Sequence, residues 1–200
     1  MAHSPVSVEF DGPVGIITIS RGDARKNAVS REIASGLREA VEKLDWESSV
    51  RAIVLIGEAE ALAAGWDVDD YAARPVLEMP TEKPVVVAAS GWTVGSGLEL
   101  VLNADIAIAA DNAKFSAPEV SIGELDRRIA QPLIEEVGRA MAADMLMTGR
   151  ALTADEALSV GLISRVVPLA GLRDAAVAIA RRVAEMPETA MKEAKAIDRM

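Results

Sequence analysis

The chain has 200 residues, a net charge of −10, half its residues hydrophobic and few aromatic. That length fits one sizeable core built from Ala, Val, Ile and Leu, and the acidity argues against nucleic acid or an anionic membrane as partner. With no Cys and a single histidine, His3, the composition excludes thiolate chemistry and leaves almost no room for a Ser–His triad or a histidine-ligated metal. Acid–base work therefore falls to Asp, Glu, Lys or Tyr71.

Taken in chain order, Val6–Phe10 and Val14–Ser20 read as two strands joined at Asp11-Gly12-Pro13, a hairpin signal. The opening MAHSPVSVEF lacks the basic and apolar pattern of a signal peptide, and no apolar run is long enough to span a membrane. These features predict a cytoplasmic protein. Arg21–Asn27 is a polar loop. Ser30 is an N-cap for a helix whose apolar face is Ile33, Leu37, Ala40, Val41 and Leu44. Ala52–Ile56 and Val85–Ala89 are β-branched runs of the buried-strand type.

Small-residue loops are predicted at Ala61–Gly65 and Gly91–Gly97, one after each of these strands, with the proline-bearing segment Arg74–Pro84 connecting the two regions. Leu98–Asn103 then reads as a helix, and Ile106–Ala110 and Lys114–Ser116 as strands. After Gly123 the chain turns helical. Thr153-Ala-Asp-Glu156 is a capping box, Ile163–Val167 a further strand, and Leu172–Glu185 and Thr189–Met200 are helices. The class is α/β or α+β around one main core.

Loops at the ends of buried strands are the usual ligand positions in such sheets. Small residues let a ligand approach the backbone, and a helix opening after Gly97 adds a positive dipole end. The two loops either make plain turns or aim two N–H groups at one oxygen, the arrangement that stabilises an oxyanion or enolate. Gly95-Ser96-Gly97 lacks the lysine of a phosphate loop and the third glycine of a dinucleotide fingerprint. Glu99, among Val94, Leu98, Leu100, Val101 and Leu102, and Glu119, among Phe115, Ala117, Val120 and Ile122, are either surface acids or an acid–base pair in apolar surroundings. Trp46, Trp66 and Trp92 read as packing residues, the last two placed to shape a pocket. The pair Arg181-Arg182 reads as solvated.

These residues together resemble the crotonase superfamily, the enoyl-CoA hydratases and isomerases. Arg25-Lys26-Asn27-Ala28 looks like the family's RNAL segment, and Ala63-Ala64-Gly65-Trp66-Asp67 its CAGAD-type loop. Gly91-Trp-Thr-Val-Gly95-Ser96-Gly97-Leu98-Glu99-Leu100 resembles its NGxxxGGGxEL signature. Ala117-Pro118-Glu119, Thr148-Gly149-Arg150 and Glu156-Ala157-Leu-Ser-Val-Gly161-Leu follow in the family's order. The match covers most of residues 6–195.

The resemblance implies a crotonase-like spiral of ββα units with C-terminal helices, divided as a core over 1–170 and a helical segment over 171–200 that is short relative to the family. It implies a homo-oligomer, trimer or hexamer, and an acyl-CoA thioester substrate, with no metal and no cofactor beyond the coenzyme A of that substrate. The thioester oxygen would meet the backbone N–H groups of Ala64 and Ser96. The coenzyme would run past Lys26, Asn27, Ala28, Ala63, Gly65, Trp66, Asp67 and Gly95. Glu99 would activate water and Glu119 protonate C2, making a hydratase-like lyase. The alternatives are another crotonase reaction (isomerase or hydrolase) and a non-catalytic subunit of the same fold. Two departures from the family pattern bear on the chemistry. Ser96 stands where the family usually has Gly. The charged run Gly123-Glu-Leu-Asp126-Arg127-Arg128 replaces a glycine-rich segment, and is expected to act on Glu119 through Asp126 or through Arg127 or Arg128.

Overall fold

A computed structural model describes residues 4–22, 26–58, 61–67, 69, 70, 77 and 79–198. His3, Arg25, Tyr71 and Arg74 lie outside the described residues. The hairpin forms as expected: β1 (Val6–Asp11) pairs antiparallel with β2 (Val14–Ile19). Helix α1 (Arg31–Trp46) follows, its start fixed by the Ser30 hydroxyl accepting from the Ile33 N–H at 3.3 Å. Ile33, Leu37, Val41 and Leu44 fall on one buried face, as their helical spacing requires.

The chain then alternates between two sheets. β3 (Ala52–Gly57) is followed by β4 (Ala61–Ala64), β5 (Val85–Ala89) by β6 (Trp92–Val94), and β7 (Ile106–Ala110) by β8 (Lys114–Ser116). The first member of each pair joins a six-stranded sheet together with β1, β2 and β10 (Arg165–Val167). The second joins a four-stranded sheet completed by β9 (Leu152–Thr153). Neighbours within β3–β5–β7 and β4–β6–β8 are parallel, so each pair is one turn of a spiral stacked on the last. Helix α2 (Ser96–Leu102) follows the β5–β6 turn. The β7–β8 turn is followed by a 3-10 helix over Pro118–Ile122 and then α3 (Arg127–Thr148), which kinks at Gly138. This is the α/β spiral expected from the motifs.

Both faces of the large sheet are apolar, which is why β3 and β5 read as continuous hydrophobic runs. Ile53, Leu55, Val85 and Val87 point into a core shared with α1, α2 and α3. Val54, Ile56, Val86 and Ala88 point the other way onto Ala176 and Ala180 of α5 (Leu172–Ala184). Helix α4 (Ala154–Ser159) opens on the expected capping box of Thr153 and Glu156. The chain ends with α6 (Glu188–Asp198), tied back to the sheet where the Lys195 ammonium donates to Asp105 Oδ2 at 2.8 Å.

Four expectations need correction. Ala61–Ala64 is a strand rather than a loop, and the segment after Ser90 contains the short strand β6. Trp46 is no packing residue, since it is 89% exposed. Arg181 is not merely solvated: its guanidinium pairs with Asp11 at 2.6 Å. No helix among the described residues is long and apolar enough to cross a membrane.

Candidate active site

The site lies where β4 and β6 end side by side. Ala64 pairs with Val94, and each strand then runs into a glycine with positive φ, Gly65 at 88° and Gly95 at 52°. The two bends touch closely enough that a Cβ added to Gly95 would sit 3.6 Å from the Gly65 Cα. Two residues after Gly95, Gly97 packs against β4, where any Cβ would collide with the Ala63 carbonyl. Only glycine permits helix α2 to start this close to the neighbouring strand.

Not every amide in these bends is available to a ligand. The Gly95 N–H donates to the Ser116 carbonyl at 2.9 Å, and the Ala64 N–H donates to the Lys26 carbonyl at 3.1 Å. The Ala64 amide therefore does not offer itself to a substrate oxygen as expected. Val29 bridges Trp66 by donating to the Gly65 carbonyl at 2.8 Å and accepting from the Asp67 N–H at 2.9 Å. In such a ladder the intervening Trp66 N–H points to the opposite edge, the side on which β4 meets β6. Ser96 is the first residue of α2, where helical N–H groups have no partner within the helix. Its side chain is 0% exposed, and its hydroxyl has no hydrogen-bond partner among the described residues.

Glu99 sits in the first turn of α2 and is 1% exposed. Its Oε1 accepts from the Leu77 N–H at 3.4 Å and lies 3.8 Å from Arg128 Nη1. Glu119, half-buried in the 3-10 helix, turns its carboxylate to the same bend: a Cβ on Gly95 would meet Glu119 Oε1 at 2.5 Å. Glu119 and the opening turn of α2, which carries Glu99, are thus brought to one bend. Arg128, half-buried in the first turn of α3, binds Asp126 through two nitrogens, Nε to Oδ1 at 3.0 Å and Nη2 to Oδ2 at 2.6 Å. These bonds to Asp126 push the guanidinium pKa above its ordinary value. Its carbon also lies 5.8 Å from the centre of the Trp66 ring. The charged segment reaches Glu99, because Asp126 caps α3 and directs Arg128 toward α2.

The early segment frames the same bend. Lys26 and Asn27 adopt left-handed backbone angles, φ 48° and 58°. The buried Asn27 amide donates to the carbonyls of Glu58 and Ala61, both at 2.9 Å, and its oxygen accepts from the Arg21 N–H at 3.0 Å. Asp67 is held by Arg21 at 2.6 Å, and Arg21 also donates to the Ala28 carbonyl at 2.8 Å. The side chains of Asn27 and Asp67 thus brace the bend, while Ala28 and Ala63 are buried small residues within it. Arg21 was not singled out from the sequence, where nothing separates it from any arginine in a polar loop. Trp92 is 38% exposed, with Lys26 and Lys114 ammonium groups 5.7 and 5.4 Å from its ring centre.

An α/β spiral with two acids beside a pair of backbone bends defines a class of fold and site. The comparisons with known proteins place the chain within it. The family model described as enoyl-CoA hydratase/isomerase matches residues 9–79 and 76–199, and the chain belongs to that family, within the crotonase superfamily. It is 35% identical over 209 residues to the "Probable enoyl-CoA hydratase echA8" of Mycobacterium bovis, covering 98% of this chain and 81% of that one. It is 31% identical over 212 residues to the short-chain-enoyl-CoA hydratase of Clostridium acetobutylicum, covering 98% and 81%. Among solved structures, an enoyl-CoA hydratase/isomerase from Pseudoalteromonas atlantica superposes with TM-score 0.89 at 31% identity, covering 98% of this chain and 82% of the other.

Proposed function

We propose that the chain is an enoyl-CoA hydratase-like lyase that adds water across the 2,3 double bond of an acyl-CoA thioester. The observation that carries the reading is the convergence of Glu119 and the start of the Glu99-bearing helix on the Gly95–Ser96 bend. The thioester oxygen would accept from the N–H groups of Ser96 and Trp66, with Trp66 taking the place first expected for Ala64. Charge that builds on that oxygen as C3 is attacked is then met by fixed dipoles needing no reorganisation. Glu99 as carboxylate takes a proton from the attacking water, whose oxygen bonds to C3. Glu119 in its acid form delivers a proton to C2, and exchange with solvent resets the pair.

Coenzyme A enters as part of the substrate, with its pantetheine along the Lys26–Ala28 and Ala63–Asp67 segments. The ammonium groups of Lys26 and Lys114 supply local positive charge for its phosphates in a chain of net charge −10. Assembly as a homotrimer or hexamer would cover Val120, Ile122 and Leu125, exposed apolar side chains next to Glu119. The test is turnover of an enoyl-CoA series that includes crotonyl-CoA. Formation of 3-hydroxyacyl-CoA supports the lyase. Double-bond migration or thioester cleavage without hydration points to one of the family's other reactions.

A further inference from the structure

Arg128 touches three parts of the site at once. Its guanidinium faces Glu99 Oε1 at 3.8 Å, is gripped by Asp126 at 2.6 Å and lies over the Trp66 ring at 5.8 Å. The elements packed most closely on α2 are β4, β5, β6 and α3, and the Leu77 backbone reaches it as well. β4 is Ala-Leu-Ala-Ala, β5 is Val-Val-Val-Ala-Ala and β6 is Trp-Thr-Val, so none of these three strands presents a charge. Charged groups that the structure sets near Glu99 include Arg128, the Asp126 behind it and Glu119 across the bend. A carboxylate that is 1% exposed favours its neutral acid unless a cation or donors stand beside it. Leu77 provides one donor, at 3.4 Å, and Arg128 provides the cation.

We propose that Arg128 is a positioning residue that holds Glu99 as a carboxylate, ready to accept a proton, with Oε1 turned toward α3. Asp126 fixes the guanidinium from behind and the Trp66 ring supports its face, so the cation keeps its place as substrate enters. Glu99 thus has a cation within ion-pair distance that favours its ionised form. This inference deepens the hydratase reading by assigning what sets the state of its base, and it stands on geometry that does not require turnover.

The experiment is a pH titration of the protein labelled with ¹³C at glutamate side-chain carboxyls, followed by NMR without substrate. The Glu99 signal is identified by its loss in Glu99→Gln. In Arg128→Met the Glu99 midpoint is expected to rise by roughly 1–3 pH units, the usual effect of removing an adjacent opposite charge. Arg128→Lys is expected to recover most of that shift. The acid limb of the hydration rate should move up in pH alongside the Met variant's midpoint. Should Arg128→Met fail to fold, Arg128→Gln keeps length and polarity and carries the same expected rise. An unchanged Glu99 midpoint in a folded Met or Gln variant overturns the proposal. Absence of hydration in the unaltered protein would instead count against the hydratase reading, leaving the carboxylate titration to judge Arg128.

Discussion

At the scale of single residues, the account turns on two glutamates with different surroundings. Glu99 is buried beside a guanidinium, whereas Glu119 is half-buried at a helix start and faces a glycine. Glutamine at either position keeps the shape and removes the proton transfer. Each of Glu99→Gln and Glu119→Gln should therefore lower kcat by about 10²–10⁴-fold with little change in KM, as steady-state kinetics with crotonyl-CoA would show. Both glutamates were legible from the sequence, because acids among apolar neighbours within an ordered set of motifs stand out. On the proposed use of the Trp66 N–H, the first-bend donor lies two residues beyond the one that spacing suggests. Which N–H is left over depends on Lys26 taking a left-handed conformation and offering its carbonyl to Ala64, and spacing does not encode that contact. The contact of Arg128 with Glu99 is invisible to spacing for a similar reason: the capping of α3 by Asp126 sets its direction.

Among elements, the approach of α2 to β4 decides whether the bends can act together. Gly97 faces the Ala63 carbonyl with no space for a methyl group. Gly97→Ala should push the helix away from β4, lower kcat and destabilise the fold by about 1–3 kcal/mol, the usual range for overpacking. Chemical denaturation and hydration kinetics would read both effects. A variant with unchanged activity would mean that the close approach has no role. The long apolar elements were readable, since α1, β3, β5 and α5 announce themselves by period or by continuous β-branched runs. β4 and β6 were not. They are four and three residues long, Ala-Leu-Ala-Ala and Trp-Thr-Val, too short for a period to show beside the adjoining glycines, and a neighbouring turn of the spiral pairs with each.

Across the whole molecule, α6 is tied to the large sheet through a contact that joins distant parts of the chain. The Lys195 ammonium bonds both Asp105 Oδ2 at 2.8 Å and the Lys83 carbonyl at 2.7 Å, and Asp105 Oδ2 also accepts from the Val85 N–H at 2.7 Å. The pair is largely buried, at 6% and 15% side-chain exposure. Replacing Lys195 with Met leaves the Asp105 charge short of its counter-ion and should cost about 3 kcal/mol in denaturant unfolding. The loss should fall on stability more than on kcat, because the contact lies at the far end of β5 from the bends. The α/β class and the order of its elements were visible in the sequence, but the division of strands between two sheets was not, since it depends on pairings between residues far apart in the chain.

The most direct test of the central claim removes one backbone N–H and compares the result with a variant that keeps it. Ser96 occupies the first helical position of α2, the position at which helices most readily accept proline because its N–H has no partner within the helix. The comparison is Ser96→Pro with Ser96→Gly, which keeps the amide while dropping the side chain. With folding checked by thermal melting, the expected result is a loss of kcat of about 10²–10³-fold in the proline variant and near-normal turnover in the glycine variant. A folded proline variant that hydrates crotonyl-CoA as fast as the unaltered chain would contradict the account.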